Sequence, residues 1–396
     1  MLQGFLKLGR REEFRLTPPL TEGRYLMGPR LLLVTPMLLA VLVVSGVALA
    51  LSACGGGQAN NKSATGGSAT ADGQIVFRRW FDPDQTKAAL FTMNPDGSHV
   101  QQITHPPNGW RDLEPVWSPE GQKVAFYRQT IDESMSRIMV VDPHTGDVRE
   151  VTHCGPDGGQ PRQGPPGRCE SDFDPAWAPD GDSLAIDRIL GPDEDCCRIE
   201  GIFIVGLDGS DPHQVTNVDP KLPAAFADVG PQFSPDGKML VFERVRVADD
   251  RHAMFVQRID SIGSPQDARQ ITPWKLNCQD HPDWSPDGKL VLFRCLPDDG
   301  SVNVYWVQPD GRGLHQLTQT ASDKQTYYYL SSSFSPGFSA GEGWITTSRE
   351  PGYGTEGNAD VFRFRIEDGE VVNSSNLTRS TIWDSAPDWG SHRPVR

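Results

Sequence analysis

Basic residues are scarce in this chain. It has 37 Lys and Arg against 52 Asp and Glu, a formal net charge of -15 over 396 residues. Such a balance repels nucleic acid and anionic membrane surfaces, so no nucleic-acid partner is expected. Helical apolar periodicity is also missing: no segment after residue 54 carries it for long enough to build a bundle. Local catalytic signatures are absent, with neither G-x-S-x-G nor H-E-x-x-H in the sequence. The nine histidines are scattered along the chain. The Pro-Asp-Gly turns offer too few successive oxygen ligands for a calcium loop. No catalytic residue, cofactor or metal is therefore read from the sequence.

Uncharged apolar runs are rare too, apart from residues 31–53, LLLVTPMLLAVLVVSGVALALSA, followed by Cys54 and a glycine-rich stretch. Leu51-Ser52-Ala53-Cys54 resembles the bacterial lipobox, in which a small residue beside the cut precedes a cysteine that receives diacylglycerol. That resemblance implies lipidation at Cys54, with residues 1–53 as a signal peptide and 54–70 as a flexible tether. The alternative is an uncleaved anchor, because the run is long enough to span a bilayer. Both readings place the body outside the cytoplasm, held at the cell membrane through an N-terminal lipid or anchor and facing the periplasm or the exterior.

What the chain has in quantity is turns: 40 Gly and 33 Pro suit many short strands. One phrase recurs. LEPVWSPEG, FDPAWAPDG, VGPQFSPDG, DHPDWSPDG, SSSFSPG and DSAPDWG each contain an aromatic, at Trp117, Trp177, Phe233, Trp284, Phe334 and Trp389, spaced 50 to 60 residues apart. Pro-Asp-Gly makes a tight turn, since proline fixes φ and glycine accepts the left-handed conformation. β-Rich runs follow, such as KVAFYR from Lys123 and KMLVFER from Lys238, and then a second run such as RIMVVD from Arg137. A short segment ending in Val-Thr or Leu-Thr closes each unit, at Thr104, Thr152, Thr216, Thr272, Thr318 and Thr378. Four short strands per unit predict propeller blades.

The two ends complement each other. Ile75-Val76-Phe77 begins a unit that lacks its first strand, and the last unit supplies a first strand with nothing after it. The reading is an all-β, six-bladed β-propeller with four-stranded blades over residues 71–392, closed by the C-terminal strand pairing into the first blade, with 393–396 as a tail. The repeats resemble the WD40-like, or PD40, repeats of the TolB-like propeller family, whose pattern is an aromatic, Ser-Pro-Asp-Gly, an apolar strand and a closing Leu-Thr. That resemblance implies a fold and leaves the function open.

Charges and cysteines supply the candidate sites. Hairpin opposition pairs Asp112 with Arg128, Asp172 with Arg188 and Asp228 with Arg244, and the next unit offers Asp280 and Arg294 as further candidates. These pairs either lock the innermost strands or form a polar channel mouth that captures an anionic or peptide-terminal group. An exported chain permits disulfides. Opposition in the same hairpin predicts a Cys278–Cys295 bridge. For Cys154, Cys169, Cys196 and Cys197 the connectivity is open, with a bridge from Cys154 or Cys169 to Cys196 or Cys197 favoured. Tyr327, Tyr328 and Tyr329 form a candidate interface. The functional expectation is a non-enzymatic binding scaffold for an envelope protein, peptide or glycan. The alternative is a hydrolase or lyase whose residues converge at the central channel.

Overall fold

The computed structural model describes residues 73–154, 169–190, 199–216, 226–260, 267–319, 327–351 and 358–391. Residues 31–53, Cys54, the tether, the tail, Cys196 and Cys197 lie outside them. Among the described residues no helix is long and apolar enough to cross a membrane.

The described strands form six four-stranded antiparallel sheets, each ordered from the centre outward. Blade 1 runs Asp384–Gly390, Gln74–Trp80, Ala88–Met93, Gln101–Gln102, so its inner strand comes from the far end of the chain. Blade 2 begins with Trp110–Trp117, blade 3 with Cys169–Trp177, blade 4 with Phe226–Phe233, blade 5 with Cys278–Trp284 and blade 6 with Tyr327–Phe334. Closure follows from the seam register, in which Gln74 lies opposite Gly390 and Arg79 opposite Asp384.

Each part of the repeated phrase has a physical task. In the blade 4 turn the Ser234 hydroxyl donates to the Asp236 carboxylate (2.7 Å) and accepts the Met239 N–H (3.0 Å). Gly237 sits at φ 69°, where a side chain is disfavoured. The aromatics seal one blade against the previous one. The Trp177 indole donates to the Val116 carbonyl of blade 2 (3.2 Å), and Trp284 to the Gln232 carbonyl of blade 4 (3.3 Å). Trp117 packs so closely on Gly390 of blade 1 that a Cβ there would lie 2.2 Å from its Cγ.

The closing threonine solves a hydrogen-bonding problem. The outermost strands are mostly two or three residues long and pair only briefly with the third strand. A buried N–H of the third strand is thereby left without a backbone acceptor, which is costly unless a side chain supplies one. The hydroxyls of Thr104, Thr152, Thr216, Thr272, Thr318 and Thr378 accept from Leu90, Ile138, Ile202, Met254, Val304 and Val361 at 2.9 to 3.1 Å.

Inner and second strands are clamped by ion pairs: Arg128–Asp112 (2.6 Å), Arg188–Asp172 (2.7 Å), Arg244–Asp228 (2.6 Å) and Arg79–Asp384 (2.7 Å), with all four carboxylates fully buried. Each guanidinium also lies over an aromatic ring, such as Arg244 over Phe255 and Arg188 over Phe203. Arg294 meets Asp280 at a longer 3.1 Å, because the residue directly opposite Arg294 is Gln279. In blade 6 the position facing Arg349 is Tyr329, and that guanidinium lies over the Phe362 ring.

Among the described residues there are two disulfides, one within blade 5 and one between blades 2 and 3. Cys278 and Cys295 are bridged from directly opposed positions. Cys154 is bridged to Cys169, which corrects the expectation that either would reach Cys196 or Cys197. Cys154 follows the outer strand of blade 2 and Cys169 opens the inner strand of blade 3. Both sulfurs are buried against the Asp172 carboxylate.

Two outcomes check this architecture. Non-reduced proteolysis should give one peptide mass joining Cys154 to Cys169 and another joining Cys278 to Cys295, and a mass joining either of the first two to residue 196 or 197 would contradict the pairing. Truncation before Asp384 removes the inner strand of blade 1 and leaves Arg79 without its carboxylate, a loss of at least about 3–5 kcal/mol. Calorimetry should then show the whole ring melting earlier, and an unchanged transition would rule out the closure.

Candidate functional site

Inner strands of four blades share one irregularity. The ladder skips between Leu113 and Val116, Phe173 and Ala176, and Val229 and Gln232. The residue before the proline takes a positive φ: Glu114 at 44°, Asp174 at 45°, Gly230 at 57° and, in blade 1, Ala386 at 51°. A bulge in an antiparallel strand re-aims one side chain. Here it turns Glu114 and Asp174 toward the axis, where they line the central cavity with Gln232, His281, Asp283, Ser331, Ser333 and Asp388.

Blade 5 departs from this pattern. Its ladder skips from Gln279 to Asp283, and the positive φ moves one residue back, to Asp280 at 70°. The His281 imidazole consequently reaches across the channel. Its Nε2 lies 3.3 Å from Glu114 Oε2, 3.8 Å from Asp174 Oδ1 and 3.5 Å from Asp280 Oδ1. Glu114 is held from behind by Arg78 (2.7 Å), and Asp280 accepts from the Ser331 hydroxyl at 3.3 Å. Because Ser331 donates to Asp280, the serine, histidine and aspartate do not form a nucleophilic relay in this arrangement.

Below this layer two carboxyls line the same cavity. Asp388 accepts the Trp117 N–H (2.7 Å) and the Ser333 hydroxyl (3.0 Å), and Asp283 accepts the Phe334 N–H (2.7 Å). Desolvation, followed by the charge of Asp388, raises the Asp283 pKa to about 7. Desolvation raises Asp388 as well. Farther out, burial lifts Glu350 to about 7. Buried Asp187, raised by desolvation and then by the nearby Asp174 charge, has one carboxyl oxygen with no hydrogen-bond partner.

The cavity is small, about 50 Å³, and is lined by four carboxyls and one imidazole without any lysine or arginine. That volume holds one or two waters at roughly 30 Å³ each. It is far below the several hundred Å³ of ordinary small-molecule pockets.

The residues read from the sequence fall elsewhere. The guanidiniums of Arg128, Arg188 and Arg244 are committed to carboxylates inside their blades, and none lines the cavity, so the structure offers no anion-capturing mouth at those positions. Of the tyrosines, Tyr329 is buried edge-on against Phe364 rather than exposed, and Tyr328 is half-buried. Of Tyr327 the structure describes only its backbone pairing with Pro351. Among the described residues one cluster has metal-ligand geometry, Cys154, Cys169 and Asp172, but its sulfurs are spent on the disulfide and its carboxylate on Arg188. Sequence reading missed the channel residues. The signal was present as the residue before the proline in the aligned phrases: Glu114, Asp174, Gly230, His281 and Ala386.

A raised carboxyl pKa favours the folded state most when protonated, so the Asp283 contribution is full below its ordinary 3.8 and is lost as pH rises through about 7. Asp283→Asn should therefore flatten the fall of the melting temperature between those limits. An Asp283→Asn protein that keeps the native slope would place the titration elsewhere.

No protein-family profile matches the chain, and no curated protein matches it. Solved structures do. TolB from Acinetobacter baumannii aligns with 81% of this chain and 67% of its own, at 18% identity and a TM-score of 0.56. Kuenenia stuttgartiensis hydrazine synthase aligns over 82% of this chain and 48% of its own, at 12% identity and a TM-score of 0.55. A TolB-assigned structure from Agrobacterium tumefaciens aligns over 82% and 99%, at 18% identity and a TM-score of 0.49. At these identities the likeness is one of fold, and it includes a protein named as an enzyme as well as TolB. The chain is a six-bladed β-propeller that resembles TolB in its fold.

Proposed function

We propose that this propeller is a binding module whose channel mouth receives a cationic group, a lysine or arginine side chain or an amine, carried by a protein or peptide of the cell envelope. The observation that supports this reading most directly is the convergence of Glu114 and Asp174 on the His281 imidazole in a cavity that no lysine or arginine lines. A protonated amine entering from above meets the same two carboxylates. The net charge of -15 draws cations toward the ring before contact. The cavity volume suits the tip of a side chain, with the rest of the partner lying on the rim. Attachment at Cys54 would hold the ring at the outer surface of the membrane, within reach of such partners.

A second reading, proton-transfer catalysis in the channel, is favoured by one observation: Asp283 titrates near neutral pH beside Asp388, and the Ser333 hydroxyl bonds to Asp388. A carboxyl with a pKa close to the ambient pH is suited to act as general acid or base. Hydrolase and lyase chemistry would require the substrate to present its reacting atom at the cavity, since the cavity cannot enclose a sugar or a peptide unit.

Calorimetric titration with a lysine-rich peptide and its glutamate-substituted counterpart separates these readings. The lysine peptide should bind and the glutamate peptide should not. Glu114→Gln with Asp174→Asn should weaken the lysine peptide about tenfold or more, as expected for two lost charge-assisted bonds. Equal binding of both peptides, or no effect of the double substitution, would overturn the cation site. Turnover abolished by Asp283→Asn in a folded protein would establish the second reading.

A further inference from the structure

We infer that His252 and Glu243 of blade 4 form a proton-sensitive brace that sets the position of Asp280 and His281 in the channel. Its consequence for ligand affinity rests on the binding reading above, whereas the brace itself does not.

Glu243 sits on the second strand of blade 4, one residue before the clamping Arg244. The corresponding residues elsewhere are Arg78, Tyr127, Asp187, Phe293 and Ser348. Glu243 crosses to the neighbouring blade, where its Oε2 accepts the backbone N–H of Asp280 at 2.6 Å. Asp280 is the residue at which the blade 5 bulge departs from the bulges with positive φ in blades 1 to 4. A left-handed aspartate costs on the order of 1 kcal/mol or more and persists only where its surroundings hold it. The charged acceptor on its N–H is such a hold, and the strained turn it secures aims His281 across the axis at Glu114.

The second oxygen of Glu243 is bonded to His252 Nδ1. His252 is almost wholly buried, and its Nε2 faces Asp250 Oδ1 at 3.5 Å. Its own backbone N–H donates to the Asn277 side-chain oxygen (3.0 Å), and Asn277 immediately precedes the inner strand of blade 5. That strand is thus tied to the His252 strand at two points, Asn277 and, through Glu243, Asp280.

The other charged groups around His252 are accounted for. Arg244 is held by Asp228, Arg246 by Asp249, and Arg251 by Asp298. Lys275 of the short 3-10 turn packed on this strand is exposed, and Arg269 of the outer strand donates to the Pro309 carbonyl. Asp280 lies beyond Glu243. The imidazole therefore answers to two carboxylates. Burial works against its charge, but Glu243 and then Asp250 outweigh it and raise the pKa above the ordinary 6.5.

As imidazolium, His252 donates to Glu243 at Nδ1, carries a second proton at Nε2 toward Asp250, and neutralises Glu243. Its stabilising contribution is full below the unfolded value of 6.5 and is lost as pH rises through the folded value. When the proton leaves, one ring nitrogen becomes an acceptor facing a carboxylate. The support for the Asp280 turn then loosens, and with it the placement of His281.

The test is the ring chemical shift of His281, followed against pH in the ligand-free, isotope-labelled protein. In the native chain the His281 curve should carry an inflection at the His252 titration. In His252→Gln, which still offers a donor to Glu243, that inflection should vanish. In Asp250→Asn, which leaves the Glu243 bond intact, it should move to lower pH, because one neighbouring charge has been removed. If His252→Gln does not fold, Asp250→Asn alone decides. A His281 curve unchanged in either folded variant would overturn the brace. Because no ligand is present, failure of the lysine peptide to bind would leave this result standing, and a flat His281 curve with intact peptide binding would reject the brace alone.

Discussion

The ring depends on a single antiparallel pairing, that of Asp384–Gly390 with Gln74–Trp80. Each sheet buries its faces only against neighbours, so six blades become stable together when the last meets the first. The seam is reinforced in three ways: Arg79 clamps Asp384, Asp388 accepts the Trp117 N–H of blade 2, and Gly390 leaves room for the Trp117 ring. Asp388 also lines the cavity, so one carboxyl both closes the ring and shapes the channel.

The buried polar groups divide into two kinds. The Asp–Arg clamps are saturated pairs, each carboxylate taking both arms of its guanidinium, and they fix the inner strand to the second one. The channel groups are not saturated in this way. Glu114, Asp174 and Asp280 share one imidazole, with Arg78 on Glu114 and Arg294 on Asp280 each giving a single contact, and Asp283 and Asp388 compete for ionisation in a desolvated space. The first kind gives the blades their rigidity. The second kind retains the capacity to exchange a proton or accept a cation, which is where function is expected to reside.

Much of the ring was legible in the sequence because the repeat is written in residues with local tasks. The Pro-Asp-Gly turn, the sealing aromatic and the closing threonine each act within one blade or across one blade boundary. Hairpin arithmetic found the Asp112, Asp172 and Asp228 clamps and the Cys278–Cys295 bridge because each pair lies within one residue of exact opposition across its turn despite the skip in the inner strand. Asp280 stood beside them as a further candidate, although only 14 residues separate it from Arg294 against 16 in the other pairs, and Gln279 takes the opposed position. The Cys154–Cys169 bridge escaped for a different reason: its halves belong to different blades and to no shared hairpin. The channel cluster needed the third dimension, since Glu114, Asp174 and His281 are far apart in the chain and meet only when the blades are arranged around an axis.

The seam also decides how the ring answers to load. Gln74–Trp80 is hydrogen-bonded on both sides, to the closing strand and to Ala88–Met93. Any pull arriving ahead of Gly73 would enter the ring at that strand and be shared between two ladders from Ile75 onward. A propeller whose first strand lay at a blade edge would instead unzip one bond at a time. A load on the amino-terminal side of the ring would therefore meet both ladders of the composite blade.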